Sequence, residues 1–181
     1  MAAKWHGEIE LPRERSEALR GEIHAFICGE SGEVACFLTT LRRDGRPLTR
    51  PVNAMVTAWS VETVTQDIQY KTQHVRANAV VSYLWVSAES RPGFGVHAPR
   101  SVFLEGRARL VEDPASVDDF FARRVARGGR PEGSAHRGDP GYRRFLIRTR
   151  PVYLRAEGFA ELSRPAVLRD FPGGAPGRDV G

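Results

Sequence analysis

The pair Asp44-Gly45, set between the β-rich runs Val34 to Leu41 (VACFLTTL) and Leu48 to Trp59, constrains this chain more than any other feature. Aspartate followed by glycine is a strong hairpin signal, because the turn needs backbone angles that few other residues tolerate, and the flanking runs are rich in strand formers. Two strands joined in this way are antiparallel. A doubly wound parallel sheet needs a helix between most consecutive strands, and this hairpin argues against it.

The rest of the chain extends the pattern. Leu19, Ile23, Phe26 and Ile27 recur at helical spacing between Pro12 and Gly29, which marks an amphipathic N-terminal helix. Ser60 to Glu62 reads as a turn, Thr63 to Tyr70 as a third strand, and the stretch with His74, Val75 and Asn78 as a short helix. Val80 to Val86 (VVSYLWV) is too apolar for an exposed edge and reads as a buried strand; Ser101 to Val111 is another. Asp113 is placed to N-cap a helix with Pro114 at its first position and Val117, Phe120, Phe121 and Val125 as its apolar stripe. Gly128 to Gly141 reads as a polar loop, and Arg144 to Ala156 as the last strand. Six strands joined mainly by short turns, with flanking helices, predict a mainly β (α+β) antiparallel barrel that leaves no open edge. Residues 1–30 are expected to form an arm and helix, 31–160 the barrel domain, and 161–181 a mobile tail ending in proline and glycine.

Bulk properties agree. A chain of 181 residues with 41% hydrophobic and 27% charged residues can bury a core without metal or disulfide staples. Cys28 and Cys36 form no CxxC pattern, so neither a zinc site nor a disulfide framework is indicated. The N-terminus has no apolar core segment, and no run approaches the ~18 apolar residues that span a bilayer, so a cytoplasmic protein without membrane contact is expected. A net charge of +5 favours anionic partners in general. Much of it comes from Arg123, Arg124, Arg127, Arg130, Arg143, Arg144, Arg148 and Arg150, which also suit a solvated basic surface.

Arg50 is a different matter. Leu48, Arg50, Val52, Ala54, Val56 and Ala58 share one face of their strand, so Arg50 sits on an apolar face. A guanidinium there requires an internal acid, a route to water along its stem, or an anionic ligand.

The run Thr65 to Asn78 (TQDIQYKTQHVRAN) supplies the context. Arg50 on the second strand, Thr65 ending the third, Lys71 six residues later and Asn78 seven beyond that keep the order and spacing of a known signature. The chain resembles the pyridoxamine 5′-phosphate oxidase-like superfamily of flavin-binding split β-barrels from roughly Gly32 to Arg124. The resemblance implies a split barrel that holds FMN between the subunits of a homodimer. It assigns Arg50 and Lys71 to the cofactor phosphate, Thr65 or Thr72 to its remaining oxygens beside Val64, and the backbone of Val52 and Asn53 to the ring edge. Tyr70 stands where the family usually has arginine or serine, Ser101 where many members place a ring-contacting glutamine, and Ala79 where a proline is usual. The C-terminal strand lacks the Arg-x-His pattern of the true oxidase, which argues against vitamin B6 as substrate.

Other residues carry weaker signals. His74 and His97 are read as surface histidines, Trp59, Trp85 and Tyr83 as barrel or interface filling, and Gly93-Phe94-Gly95 as a connection without the helix a phosphate loop needs. The expected function is an FMN-dependent oxidoreductase acting on a small organic substrate. The alternatives are a reductase using the deazaflavin coenzyme factor 420, and a non-enzymatic flavin or haem carrier. Nucleic-acid binding ranks last, because no recognised motif is present.

Overall fold

The computed structural model describes residues 13–29, 34–90, 99–129, 142–161 and 164–171. In chain order the elements are α1 (Arg13–Ile27), β1 (Val34–Leu41), β2 (Pro47–Pro51), β3 (Ala54–Thr57), β4 (Ser60–Gln66), α2 (Tyr70–Ala77), β5 (Val80–Ser90), β6 (Pro99–Val111), α3 (Pro114–Ala126), β7 (Arg144–Glu161) and β8 (Arg164–Leu168). All strand pairs are antiparallel, and the sheet curls into a half-barrel flanked by three helices, as the sequence predicts. The N-terminal arm, the segment with Gly93-Phe94-Gly95 and His97, residues 130–141 and the stretch from 172 lie outside the described residues.

The Asp44-Gly45 hairpin forms. Arg43, Asp44 and Gly45 make the loop, closed by Arg42 N–H to the Arg46 carbonyl and Gly45 N–H to the Arg42 carbonyl, both at 2.9 Å. Gly45 occupies the left-handed region at φ 81°, where a Cβ would be strained.

The run Leu48 to Trp59, expected as one strand, is two. The strand order is β2-β1-β5-β6-β7-β4-β3, so consecutive strands β2 and β3 lie at opposite ends of the sheet. The chain crosses between them through Val52 and Asn53 alone. Val52 N–H donates to the Cys36 carbonyl at 2.9 Å, and the Thr63 hydroxyl donates to the Asn53 carbonyl at 3.2 Å. Pro51 ends β2 because it has no N–H to continue a ladder, and Pro47 at the other end suits an edge strand.

The next turn also falls earlier than Ser60 to Glu62. Thr57 pairs with Ser60, which leaves Ala58 and Trp59 as a two-residue loop with φ of 45° and 70°. Such a turn favours asparagine and glycine, so the sequence does not announce it. Packing overrides the preference: Trp59 is buried, with its ring 5.0 Å from His24 and 5.6 Å from Phe171. Strand three consequently runs over Ser60–Gln66, and Tyr70 opens α2.

The strand count rises to eight by this division and by β8, which pairs Leu168 with Leu154 and Ala166 with Ala156. Part of the segment expected to be a mobile tail is therefore a strand, held by apolar contacts of Ala166 and Leu168 that are too few to show a period in sequence.

Two apolar clusters organise the interior. In the larger, Leu19, Ile23, Phe26 and Ile27 of α1 cap Leu38, Tyr83, Trp85, Leu104 and Leu154 of the sheet. In the smaller, Val117 and Phe120 of α3 pack on Met55, Val111 and Leu146, while Val125, expected in the same stripe, is exposed. Asp113 caps α3 as predicted, accepting from Ser116 N–H at 3.0 Å. Beside the smaller cluster the Glu62 carboxylate is 5% exposed and takes Arg123 Nη2 at 2.7 Å and Arg148 Nε at 2.6 Å. One buried carboxylate thus ties α3 to β4 and β7.

Glu62→Gln leaves two arginines facing a neutral group, and we expect a loss of about 3 kcal/mol in chemical denaturation. Ala58→Gly relieves a left-handed Cβ at an exposed position and is expected to gain on the order of 1 kcal/mol.

Candidate functional site

The crossing at Val52–Asn53 is covalent but makes no ladder with the strands beside it, and a cavity of about 470 Å³ opens along this seam. Thr63, Val64 and Lys71, Val34 to Cys36, and Phe120 and Arg124 of α3 line it together with the crossing itself. A smaller space of about 290 Å³ shares Val34, Cys36, Val52, Asn53 and Arg124 and reaches Cys28 and Trp85. The first cavity lies within the ordinary range for a small-molecule site. Burial pushes the Cys36 thiol up to about 12, so it remains a neutral wall of the cavity.

Lys71 is the chemical centre. It lies in the first turn of α2, half-buried, and its Nζ donates to the Val64 carbonyl at 3.1 Å. Three things oppose its charge: burial, the nearby Arg50 guanidinium, and the positive end of the helix, whose first turn holds no acid. Burial first and Arg50 second hold its pKa below the ordinary lysine value. Among the described residues neither Lys71 nor Arg50 forms a salt bridge with a carboxylate. A phosphate would satisfy both cations.

The expected site residues divide into three groups, with Ser101 apart from all of them. Val52, Asn53, Val64 and Lys71 line the seam cavity together. Arg50 and Tyr70 border an adjoining cavity instead, the guanidinium lying 5.9 Å from the centre of the Tyr70 ring. Thr65 and Thr72 are buried at the corner of β4 and α2 and share a hydrogen bond at 2.8 Å. Thr72 donates to the Gln66 carbonyl and Thr65 donates to Thr72, with Gln69 Oε1 3.1 Å from the Thr65 hydroxyl oxygen. Their hydroxyls are thus engaged in joining strand to helix. Ser101 sits near the start of β6 between Val86 and Glu157, two strands from Ala35 at the cavity rim, roughly 10 Å away at the usual strand spacing. Asn78, the last residue of the signature, accepts from Val80 N–H at 2.9 Å and sets the start of β5.

Seven lining residues, Val34, Ala35, Cys36, Pro51, Thr63, Phe120 and Arg124, are not among the expected site residues, and two of them, Arg124 and Thr63, were open to detection by spacing. Arg124 belongs to a run of arginines that also suits a solvated surface, yet it follows Phe120 by one helical turn and shares its face, a spacing visible in the sequence. Thr63 alternates with Thr65 along β4, so strand period places it on the same side.

A family model described as pyridoxamine 5′-phosphate oxidase matches residues 19–156. Comparison with curated proteins finds no match. Among solved structures, a conserved hypothetical protein, Rv2991, from Mycobacterium tuberculosis aligns over 99% of this chain and 100% of its own, with 17% identity and a TM-score of 0.62. General stress protein 26 from Bacillus anthracis aligns over 83% of this chain and 98% of its own, with 20% identity and a TM-score of 0.57. An F420 reductase aligns over 67% of this chain and 88% of its own, with 20% identity and a TM-score of 0.51. At these identities the likeness establishes the fold.

An anion at Lys71 binds best to the ammonium form and raises its pKa. Affinity for a phosphate ester is therefore expected to hold steady at neutral pH. It should then fall up to tenfold per pH unit as pH rises through the depressed value of the free protein. Titration calorimetry with FMN across the alkaline range checks this, and Lys71→Arg should remove the fall.

Proposed function

The chain belongs to the pyridoxamine 5′-phosphate oxidase family, and on that premise we propose that it is an oxidoreductase that holds a phosphorylated flavin, FMN or a deazaflavin, in the seam cavity. The observation that carries this reading is the half-buried Lys71 ammonium beside the Arg50 guanidinium, with no carboxylate paired to either among the described residues. The donor set fits a phosphate: a planar fork from arginine and a point charge from lysine. Thr65 and Thr72 act in this reading by fixing the corner that carries Lys71, since their hydroxyls are already engaged.

A bound flavin supplies hydride transfer, and the protein supplies position and electrostatics. Val52 and Asn53 present backbone at the seam where the ring edge would lie. Arg124, which lines the same cavity as Lys71, would hold an anionic group of the substrate beside apolar Val34 and Val52. No side chain is required as an essential base.

The proposal includes a homodimer in the cytoplasm. On the outer sheet face Phe37, Leu84 and Phe103 lie side by side on β1, β5 and β6, with Tyr153 against Phe103 at 6.4 Å, and all four are partly exposed. An apolar face of that kind suits a second copy of the chain. Cys28 and Cys36 are both free thiols, which suits a reducing compartment. Among the described residues no helix is long and apolar enough to cross a membrane.

The visible spectrum of the purified protein, followed by mass analysis of released cofactor, is expected to show a flavin or deazaflavin. Arg50→Ala and Lys71→Ala are each expected to weaken its binding by about 1–3 kcal/mol, the range for a hydrogen bond to a charged group. A colourless protein that takes up neither cofactor on addition would contradict the proposal.

A further inference from the structure

Beyond Arg50, on the side away from the seam, lies a second and larger cavity of about 640 Å³. Its near wall is the β1–β2 hairpin with Arg42 and Arg43, and its far wall is the exposed face of α2 with Tyr70 and His74. One carboxylate lies at its rim, but Asp44 is committed: Arg46 Nη2 holds it at 2.6 Å and Arg46 Nε at 2.8 Å, while the backbone N–H of Arg46 donates to it at 3.1 Å. Arg42 and Arg43 have no salt bridge among the described residues.

Across from them Tyr70 and His74 stand one helical turn apart with their rings stacked at 6.5 Å and 29°. His74 Nδ1 shares a hydrogen bond with Thr40 at 2.9 Å, which fixes the ring and leaves Nε2 for a ligand. Burial, and then the charges of Arg42 and Arg50, keep the imidazole neutral at a lower pH than usual, with Asp44 acting the other way. Arg42, Arg50 and the His74 ring line the same cavity.

We propose that this cavity receives anionic groups that the cofactor carries beyond its first phosphate, with Arg42, Arg43 and His74 as their ligands. The inference rests on the reading of Lys71 and Arg50 as the first phosphate site. Arg50 joins the two sites, since its charge acts on Lys71 and its side chain borders the second cavity. A single phosphate ester such as FMN uses Lys71 and Arg50 and leaves the remaining cations unmatched. An extension bearing a second phosphate or several carboxylates matches them.

The test compares Kd values of FMN, FAD and an oligoglutamyl deazaflavin for the full chain, for the double variant Arg42→Ala/Arg43→Ala and for Lys71→Ala. The unaltered protein is expected to bind at least one extended cofactor ten times more tightly than FMN. Preference for FAD identifies a second phosphate as the recognised group; preference for the deazaflavin identifies carboxylates. The double variant should lose that tenfold while its FMN affinity changes less than twofold. The His74 ring, followed by NMR titration, should rise in pKa on binding the extended cofactor and not on binding FMN. Extended cofactors that bind no tighter than FMN, or equal losses for all three in the double variant, overturn the second site. If Lys71→Ala still weakens FMN in that case, the first phosphate site stands; if Lys71→Ala changes nothing, both fall.

Discussion

The covalent crossing from Pro51 to Ala54 is the constraint on which the rest of this structure depends. β2 and β3 are the two ends of one sheet, yet only Val52 and Asn53 separate them. Three virtual bonds of extended chain span no more than about 11 Å, so the sheet must curl until its ends nearly meet. The backbone groups of Val52 and Asn53 find partners on Cys36 and Thr63, one on each side of the seam, which holds the two ends in register. A seam joined by a crossing peptide and not by a continuous ladder leaves space, and that space is the cavity reached by Lys71.

Charge is distributed around the seam in two ways. Arg123 and Arg148 converge on the buried carboxylate of Glu62, and this ion cluster fixes α3 against the sheet. The same helix then carries Phe120 and Arg124 to the cavity wall, so a structural ion cluster positions a candidate ligand residue one place along the chain. Lys71 and Arg50 have no such carboxylate among the described residues. A folded chain tolerates this arrangement because Arg50 remains exposed and Lys71 finds the Val64 carbonyl, but both leave a standing attraction for an anion.

Strain is concentrated near the same region. Ala58 and Trp59 turn with positive φ because the burial of Trp59 against His24 and Phe171 outweighs the local cost. That turn sets the register of β3 on β4. The register aligns Ala54 with Thr63, whose hydroxyl meets Asn53 at the seam.

How much of this was legible depends on the range of the interaction. The hairpin at Asp44-Gly45, the cap at Asp113-Pro114 and the pairing of Arg50 with Lys71 in one signature are local or evenly spaced features, and such features are written in residue order. The break after Pro51 was not, because alternation continues through Val52 and Ala54 although the strand changes partners. The tight turn at Trp59, the strand Arg164–Leu168 and the role of Arg124 were hidden for a related reason: each is decided by side chains distant in sequence. Sequence alone therefore determined the class of fold and the hairpin, and it singled out Arg50 and Lys71 as candidate ligands for an anion. Only the tertiary structure decided that Arg50 borders the hairpin cavity and not the seam cavity, that Thr65 and Thr72 are engaged with each other, and that Ser101 lies away from the seam. The physical reason is that period and turn chemistry fix which face a residue occupies, whereas curling of the sheet fixes which faces meet.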